Sequence, residues 1–225
     1  MRLRASVAEA RPIPCIHVLA GTNGAGKSSI LGAMISESEG EYFNPDDATQ
    51  RILARNPSIS LARANSEAWY EGKRLLERAI GERLNYAFET TLGGETITSL
   101  LERAIVAKIA VRIWYVGLDS PERNLERVRA RVRKGGHDIP EKKVRERYRQ
   151  GLIHLIRLLP YLSDLLVYDN SEEADPDTGK EPEPKLLLHL EYGKIVSTCD
   201  LSIAPQWVKP ILAAALKLDD TWQTP

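Results

Sequence analysis

The residues most able to do chemistry are the run Gly21-Thr22-Asn23-Gly24-Ala25-Gly26-Lys27-Ser28, which satisfies the pattern GxxxxGK[ST]. Glycines let the backbone approach a polyphosphate and turn successive N–H groups inward, at a helix N-terminus that carries partial positive charge. Lys27 is expected to reach the β- and γ-phosphates, and the Ser28 hydroxyl to ligate Mg²⁺. The plainer alternative is a Gly-rich turn with a solvated lysine. Context favours the first: an apolar run, IHVLA, precedes the loop and a helical pattern, SSILGAMIS, follows it. The expected contacts to ATP are Gly21, Asn23, Gly24, Ala25, Gly26, Lys27, Ser28 and Ser29.

Acids follow two other apolar runs, as Asn44-Pro45-Asp46-Asp47 and Phe88-Glu89-Thr90-Thr91. At the C-terminal ends of strands they could take a proton from an attacking hydroxyl or hold substrate hydroxyls. Capping a helix is the competing role for Asp46 and Asp47. Glu89 is harder to explain structurally, since an acid ending an apolar strand is costly without a partner. Residues 122–149 hold eleven Lys/Arg against five Asp/Glu, so 11 − 5 gives +6. Arg127, Arg131 and Lys134 share one helical face, and Gly135-Gly136 breaks the pattern before Pro140 restarts it. Two basic helices about a glycine hinge suit a lid over phosphates; a solvated charged surface or an RNA patch are the alternatives.

The elements needed to position these groups are legible as alternating strands and helices. Strands are expected at 13–20, 41–44, 85–90, 109–118 and 164–170. Helices are expected at 27–36, 46–55, 60–81, 94–107, 121–134 and 140–162. This is an α/β pattern: a doubly wound, mainly parallel five-stranded sheet with a helical lid. Residues 1–12 form an N-terminal extension to a domain at 13–170. The stretch 171–184, with six acids against one Lys, reads as a loop or linker. Residues 185–225 read as a small C-terminal appendage, a β-hairpin turning near Tyr192-Gly193-Lys194 followed by a short helix.

Composition narrows the function. Lys and Arg total 31 and Asp and Glu total 31, so zero net charge argues against a general grip on nucleic acid. The basic segment also lacks interleaved aromatics, which makes nucleic-acid binding less favoured. Cys15 and Cys199 fit no metal-binding or disulfide pattern, and no apolar stretch reaches membrane-spanning length. A cytoplasmic protein that binds no membrane is expected.

The strings GTNGAGKSS, YFNPDD, FETTLGG, RVRKGGHDIPEKKVRERY and VYDNS resemble the zeta-toxin-type P-loop kinases, in their smaller branch. The resemblance covers about residues 13–170, in the family's motif order. It implies a P-loop NTPase fold and ATP- and Mg²⁺-dependent phosphorylation of a small-molecule hydroxyl, with UDP-N-acetylglucosamine the acceptor in the family. Residue by residue, it implies that Lys27 and Ser28 bind phosphate and Mg²⁺. Asp46 activates the acceptor hydroxyl, Glu89 with Thr90 binds the acceptor, and Arg131 and Arg147 stabilise the transferring phosphoryl. Arg127, Arg129, Arg133 and Arg145 are close alternatives within the lid. The family also implies a possible antitoxin or inhibitory protein, for which no segment of this chain is recognisable.

His137 at the hinge could order the turn or donate to a phosphate oxygen. His17, His154 and His189 show no metal-ligand spacing and are expected to be structural. Asp119 and Asp169 each follow an apolar run, with helix or turn capping as the alternative to a role near the nucleotide. The function expected is an ATP-dependent kinase acting on a nucleotide-sugar-like hydroxyl; the rival is an ATPase switch that couples hydrolysis to a partner protein.

Overall fold

The computed structural model describes residues 13–37, 42–135, 138–173 and 183–219. The element order is β1 (Cys15–Ala20), α1 (Ser28–Glu37), β2 (Tyr42–Phe43), α2 (Pro45–Arg55), α3 (Leu61–Glu82), β3 (Tyr86–Thr90) and α4 (Glu95–Val106). There follow β4 (Ala110–Gly117), α5 (Pro121–Arg133), α6 (Glu141–Leu158), β5 (Asp164–Asp169), β6 (Lys185–Glu191), β7 (Lys194–Thr198) and α7 (Lys209–Leu218). Local chemistry sets the helix starts. Ser60 and Ser120 accept from the N–H three residues on, capping α3 and α5, and proline opens α2, α5 and the second position of α7.

The strands form one sheet in the order β2-β3-β1-β4-β5-β6-β7. The first five are parallel, as expected. Strand order reverses at β1, so the crevice beyond its C-terminal end, where the glycine loop begins, is the place for a ligand. Buried side chains of β1 face both layers: Ile16 and Val18 join the larger core, and Leu19 packs with Ile30 and Met34 of α1.

The C-terminal hairpin does not stand apart from this sheet. β6 pairs antiparallel along β5, and β7 along β6, so that among the described residues the sheet has seven strands rather than the five expected. Tyr192 and Gly193 turn it with φ of +46° and +79°, the two-residue turn that matches strand twist. Trp207 lies against Gly117, where an added Cβ would come within 2.2 Å of the indole, and Trp207 Nε1 donates to Asp169 Oδ1 at 3.1 Å. Ile211, Leu212 and Ala215 of α7 are buried in the same core as the parallel strands. The sequence pattern could not show this, because β6 joins the sheet at an edge that only the folded β5 defines.

At the opposite end of the sheet, Arg112 bonds Asp164 Oδ2, with Nε at 3.0 Å. His189 Nε2 lies 3.1 Å from Asp164 Oδ1 and 3.4 Å from Glu191 Oε1. Histidine spacing in the sequence did not reveal this group, which is assembled across three strands. With one Asp164 oxygen held by arginine, it forms an ion-pair network. His17, in register with Arg112 on the adjacent strand β1, stacks on Trp114 at 5.7 Å between ring centres.

Candidate active site

The glycine loop is shaped by close approaches that side chains would prevent. At Gly21 an added Cβ would lie 2.3 Å from the Val116 carbonyl oxygen; at Gly26, with φ +79°, it would lie 2.2 Å from Asn170 Nδ2. Two asparagines hold the loop from outside: Asn170 Nδ2 donates to Ala25 O and Asn124 Nδ2 to Asn23 O, both at 2.9 Å. Gly24 faces the Asn124 backbone. Ser28 and Ser29 are exposed on the first turn of α1.

Lys27 is buried, and its Nζ donates to Gly21 O at 2.8 Å and Thr22 O at 3.3 Å. It also pairs with Glu89 Oε1 at 3.4 Å, which accounts for an acid at the end of an apolar strand. The other Glu89 oxygen accepts from Tyr42 Oη at 3.0 Å and Asn44 Nδ2 at 3.3 Å. Burial and the neighbouring Glu89 both push the Tyr42 phenol up, which keeps it a donor.

Asn44 settles the competing roles of the two acids. It is the N-cap of α2, its Oδ1 accepting from the backbone N–H of Asp46 at 2.8 Å and of Asp47 at 3.4 Å. The cap is therefore Asn44, and the Asp46 carboxylate is directed elsewhere: Arg131 Nη1 lies 3.5 Å from its Oδ2. Asn44 thus links Glu89 on β3 to Asp46 on α2. Thr90 lines the same cleft and its Oγ1 accepts from Leu92 N at 3.1 Å, fixing the turn after β3.

The lid helices sort their arginines. Arg129 pairs with Glu141, and Arg145 with Glu122 and Glu141, so these serve the lid itself. Arg127 Nη2 donates to Glu172 O at 3.0 Å, beside the loop glycines. Arg131 meets Asp46, and Arg147 Nη1 donates to Asn23 Oδ1 at 2.8 Å. Burial pulls the Arg147 guanidinium below its ordinary pKa, opposed by Asp46. Of the hinge, Gly135 has φ +92°, while Gly136 and His137 lie outside the described residues.

Asn23, Lys27, Asp46, Glu89, Thr90 and Arg147 line one cleft of about 700 Å³. One wall was not anticipated from the sequence. α3 supplies Asn65, Ser66, Trp69 and Lys73 to it. The signal was Trp69 itself, an indole off the stripe Ala64, Ala68, Leu76 and Ala79 that faces the core. Asp119 and Asp169 serve other ends: Asp119 pairs with Arg123 at 2.9 Å and Asp169 accepts from Trp207 and Ser171. His154 Nδ1 lies 2.7 Å from the Leu92 carbonyl oxygen, a structural contact.

Comparison with known proteins bears on this geometry. The family pattern described as Zeta toxin matches residues 3–175. An uncharacterized protein of Haemophilus influenzae is 32% identical over 128 residues, covering 57% of this chain and 88% of that protein. Among solved structures, the AvrRxo1-ORF1:-ORF2 complex is similar at TM-score 0.62 and 17% identity, covering 95% of this chain and 72% of that one. The same pair solved with ATP gives 0.61 and 16%, covering 95% and 66%. The PezAT chromosomal toxin–antitoxin system of Streptococcus pneumoniae gives 0.52 and 12%, covering 97% and 83%. At these identities the structures share the fold.

Proposed function

The chain belongs to the zeta toxin family, and on that premise we propose that it is an ATP-dependent kinase acting on a small-molecule hydroxyl. The observation that carries this reading is the convergence of Lys27, Asp46, Glu89 and Arg147 on one cleft, with Arg131 against Asp46. They come from five elements far apart in sequence, and a plain ATP-binding module has no use for the acidic half of the set.

The loop fits a polyphosphate, because its glycines allow the positive φ angles and close packing against Val116, Asn124 and Asn170 that such a tight turn needs. Lys27 would exchange its carbonyl partners for phosphate oxygens. Ser28, on the first turn of α1, is the hydroxyl that would hold Mg²⁺, and the ion would neutralise charge on the phosphates. Glu89 binds the acceptor. Asp46 accepts the proton of the attacking hydroxyl as the new O–P bond forms and the bond from the γ-phosphorus to the β–γ bridging oxygen breaks. Arg131 and Arg147, with Lys27, balance the charge on the moving phosphoryl group.

The acceptor is proposed to be a nucleotide-sugar-like metabolite, UDP-N-acetylglucosamine by the family resemblance. The cytoplasm is the proposed setting; no helix among the described residues is long and apolar enough to cross a membrane. A protein that blocks the cleft is proposed as a partner, since PezAT is described as a toxin–antitoxin system. The test is incubation with γ-labelled ATP and a metabolite panel, UDP-N-acetylglucosamine first. Label in a second small molecule supports the kinase; label released only as free phosphate supports an ATPase switch instead.

A further inference from the structure

The C-terminal hairpin and α7 lie beyond residue 175, where the family pattern ends, and the chemistry above gives them no part. One side chain of this segment nevertheless meets the supports of the glycine loop. Gly117 of β4 and Asp169 of β5 are register partners. The Trp207 indole lies against Gly117, where a Cβ would collide with it, and its Nε1 donates to Asp169 Oδ1. Trp207 is buried, and a buried indole N–H needs such an acceptor.

From both partners the loop is one step away. Asn170 adjoins Asp169; its backbone N donates to Gly117 O at 3.0 Å and its Nδ2 to Ala25 O at 2.9 Å. The same amide occupies the space that a Cβ on Gly26 would need. Val116, which precedes Gly117, presents its carbonyl oxygen to Gly21. Asp169 Oδ1 also accepts from Ser171 Oγ at 2.5 Å, and Ser171 Oγ in turn accepts from Asp119 N at 2.8 Å.

The carboxylate at the end of β5 is thus held by a local hydroxyl and by an indole 38 residues further along the chain. A hydrogen bond to a carboxylate is charge-assisted, and close packing passes on small displacements. A phosphate cradle is sensitive to such displacements, because each backbone N–H has to point at an oxygen. Loss of the indole N–H would free Asp169, and Asn170 would move with it.

We propose that Trp207 is a positioning residue for nucleotide binding, acting through Asp169 and Asn170 to set the Ala25–Gly26 turn of the glycine loop. The C-terminal hairpin and helix then belong to the nucleotide site. This role rests on the reading of the loop as an ATP cradle and adds a segment outside the family pattern to it.

ATP titration of full-length variants tests it. Trp207→Phe keeps an aromatic ring over Gly117 but removes the donor, and it should raise the Kd for ATP by about threefold to tenfold. Asp169→Ala should cost about as much, and the double variant no more than either alone, because the two act in one chain. Ile211→Ala, which cuts the buried packing of α7 without removing a hydrogen bond, should lower the urea midpoint and leave the ATP Kd unchanged. Native ATP affinity in Trp207→Phe, losses that multiply in the double variant, or an equal loss in Ile211→Ala would overturn the role. Weakened ATP binding in Trp207→Phe, with no label transfer by the native protein, would leave the role standing and sink the kinase reading alone.

Discussion

Arg147 Nη1 donates to Asn23 Oδ1 at 2.8 Å, joining the second lid helix directly to the glycine loop across 124 residues of sequence. The contact depends on Gly93, because an added Cβ there would lie 2.8 Å from Arg147 Cγ and 3.0 Å from its Cα. Gly93→Ala should therefore push the arginine off its position while leaving the loop glycines intact. Displacement of a charge-stabilising group by an ångström costs on the order of 10²-fold in rate. The expected outcome is that loss in kcat with ATP affinity retained, read by transfer kinetics and nucleotide titration.

Asn44 both caps α2 and donates to Glu89, and two substitutions separate those roles. Asn44→Ala should destabilise the fold by about 1 kcal/mol through the lost cap, seen as a lower urea midpoint. Asn44→Asp should keep the cap and the midpoint but set a carboxylate beside Glu89. Acceptor KM should then rise while ATP affinity stays.

Much of this site was readable before folding, for a physical reason. A phosphate cradle needs glycines and a lysine at fixed local spacing, and the acids sit where strands end, so both leave marks in short windows of sequence. The edge strands β6 and β7 and the α3 wall left weaker marks, since each is defined by what it packs against. Asn44 carries a local mark of its own, since Asn-Pro before a helical run is a capping signal. Which lid arginine faces Asp46 depends on how α5 seats on the glycine loop through Asn124, a contact 101 residues long in sequence.

His17 should make stability sensitive to acid. Burial, then the nearby Arg112, pulls its pKa from 6.5 down to about 4. The folded state thus resists a proton that the unfolded chain accepts. Its contribution is complete above pH 6.5 and is lost as pH falls through about 4, amounting to at most roughly 3 kcal/mol. Chemical denaturation across pH 4–7 should show this loss, and His17→Phe should flatten that part of the curve. An unchanged slope in the variant would remove His17 as its source.

Gly26→Ala should remove nucleotide binding, because the new Cβ would meet Asn170 Nδ2 at 2.2 Å in a backbone conformation that disfavours side chains. The expected calorimetric result is no measurable ATP heat from a protein whose circular dichroism is unchanged. Native-like affinity would contradict the assignment of this loop as the cradle.

That Asp46 takes the acceptor proton during transfer from ATP is the step on which the kinase reading turns. Its most direct measurement is label transfer from γ-labelled ATP by Asp46→Asn beside native protein, with ATP affinity titrated in parallel. General-base roles are worth about 10²- to 10⁴-fold, so transfer should fall by that much with ATP affinity preserved. Transfer at the native rate in Asp46→Asn would contradict it.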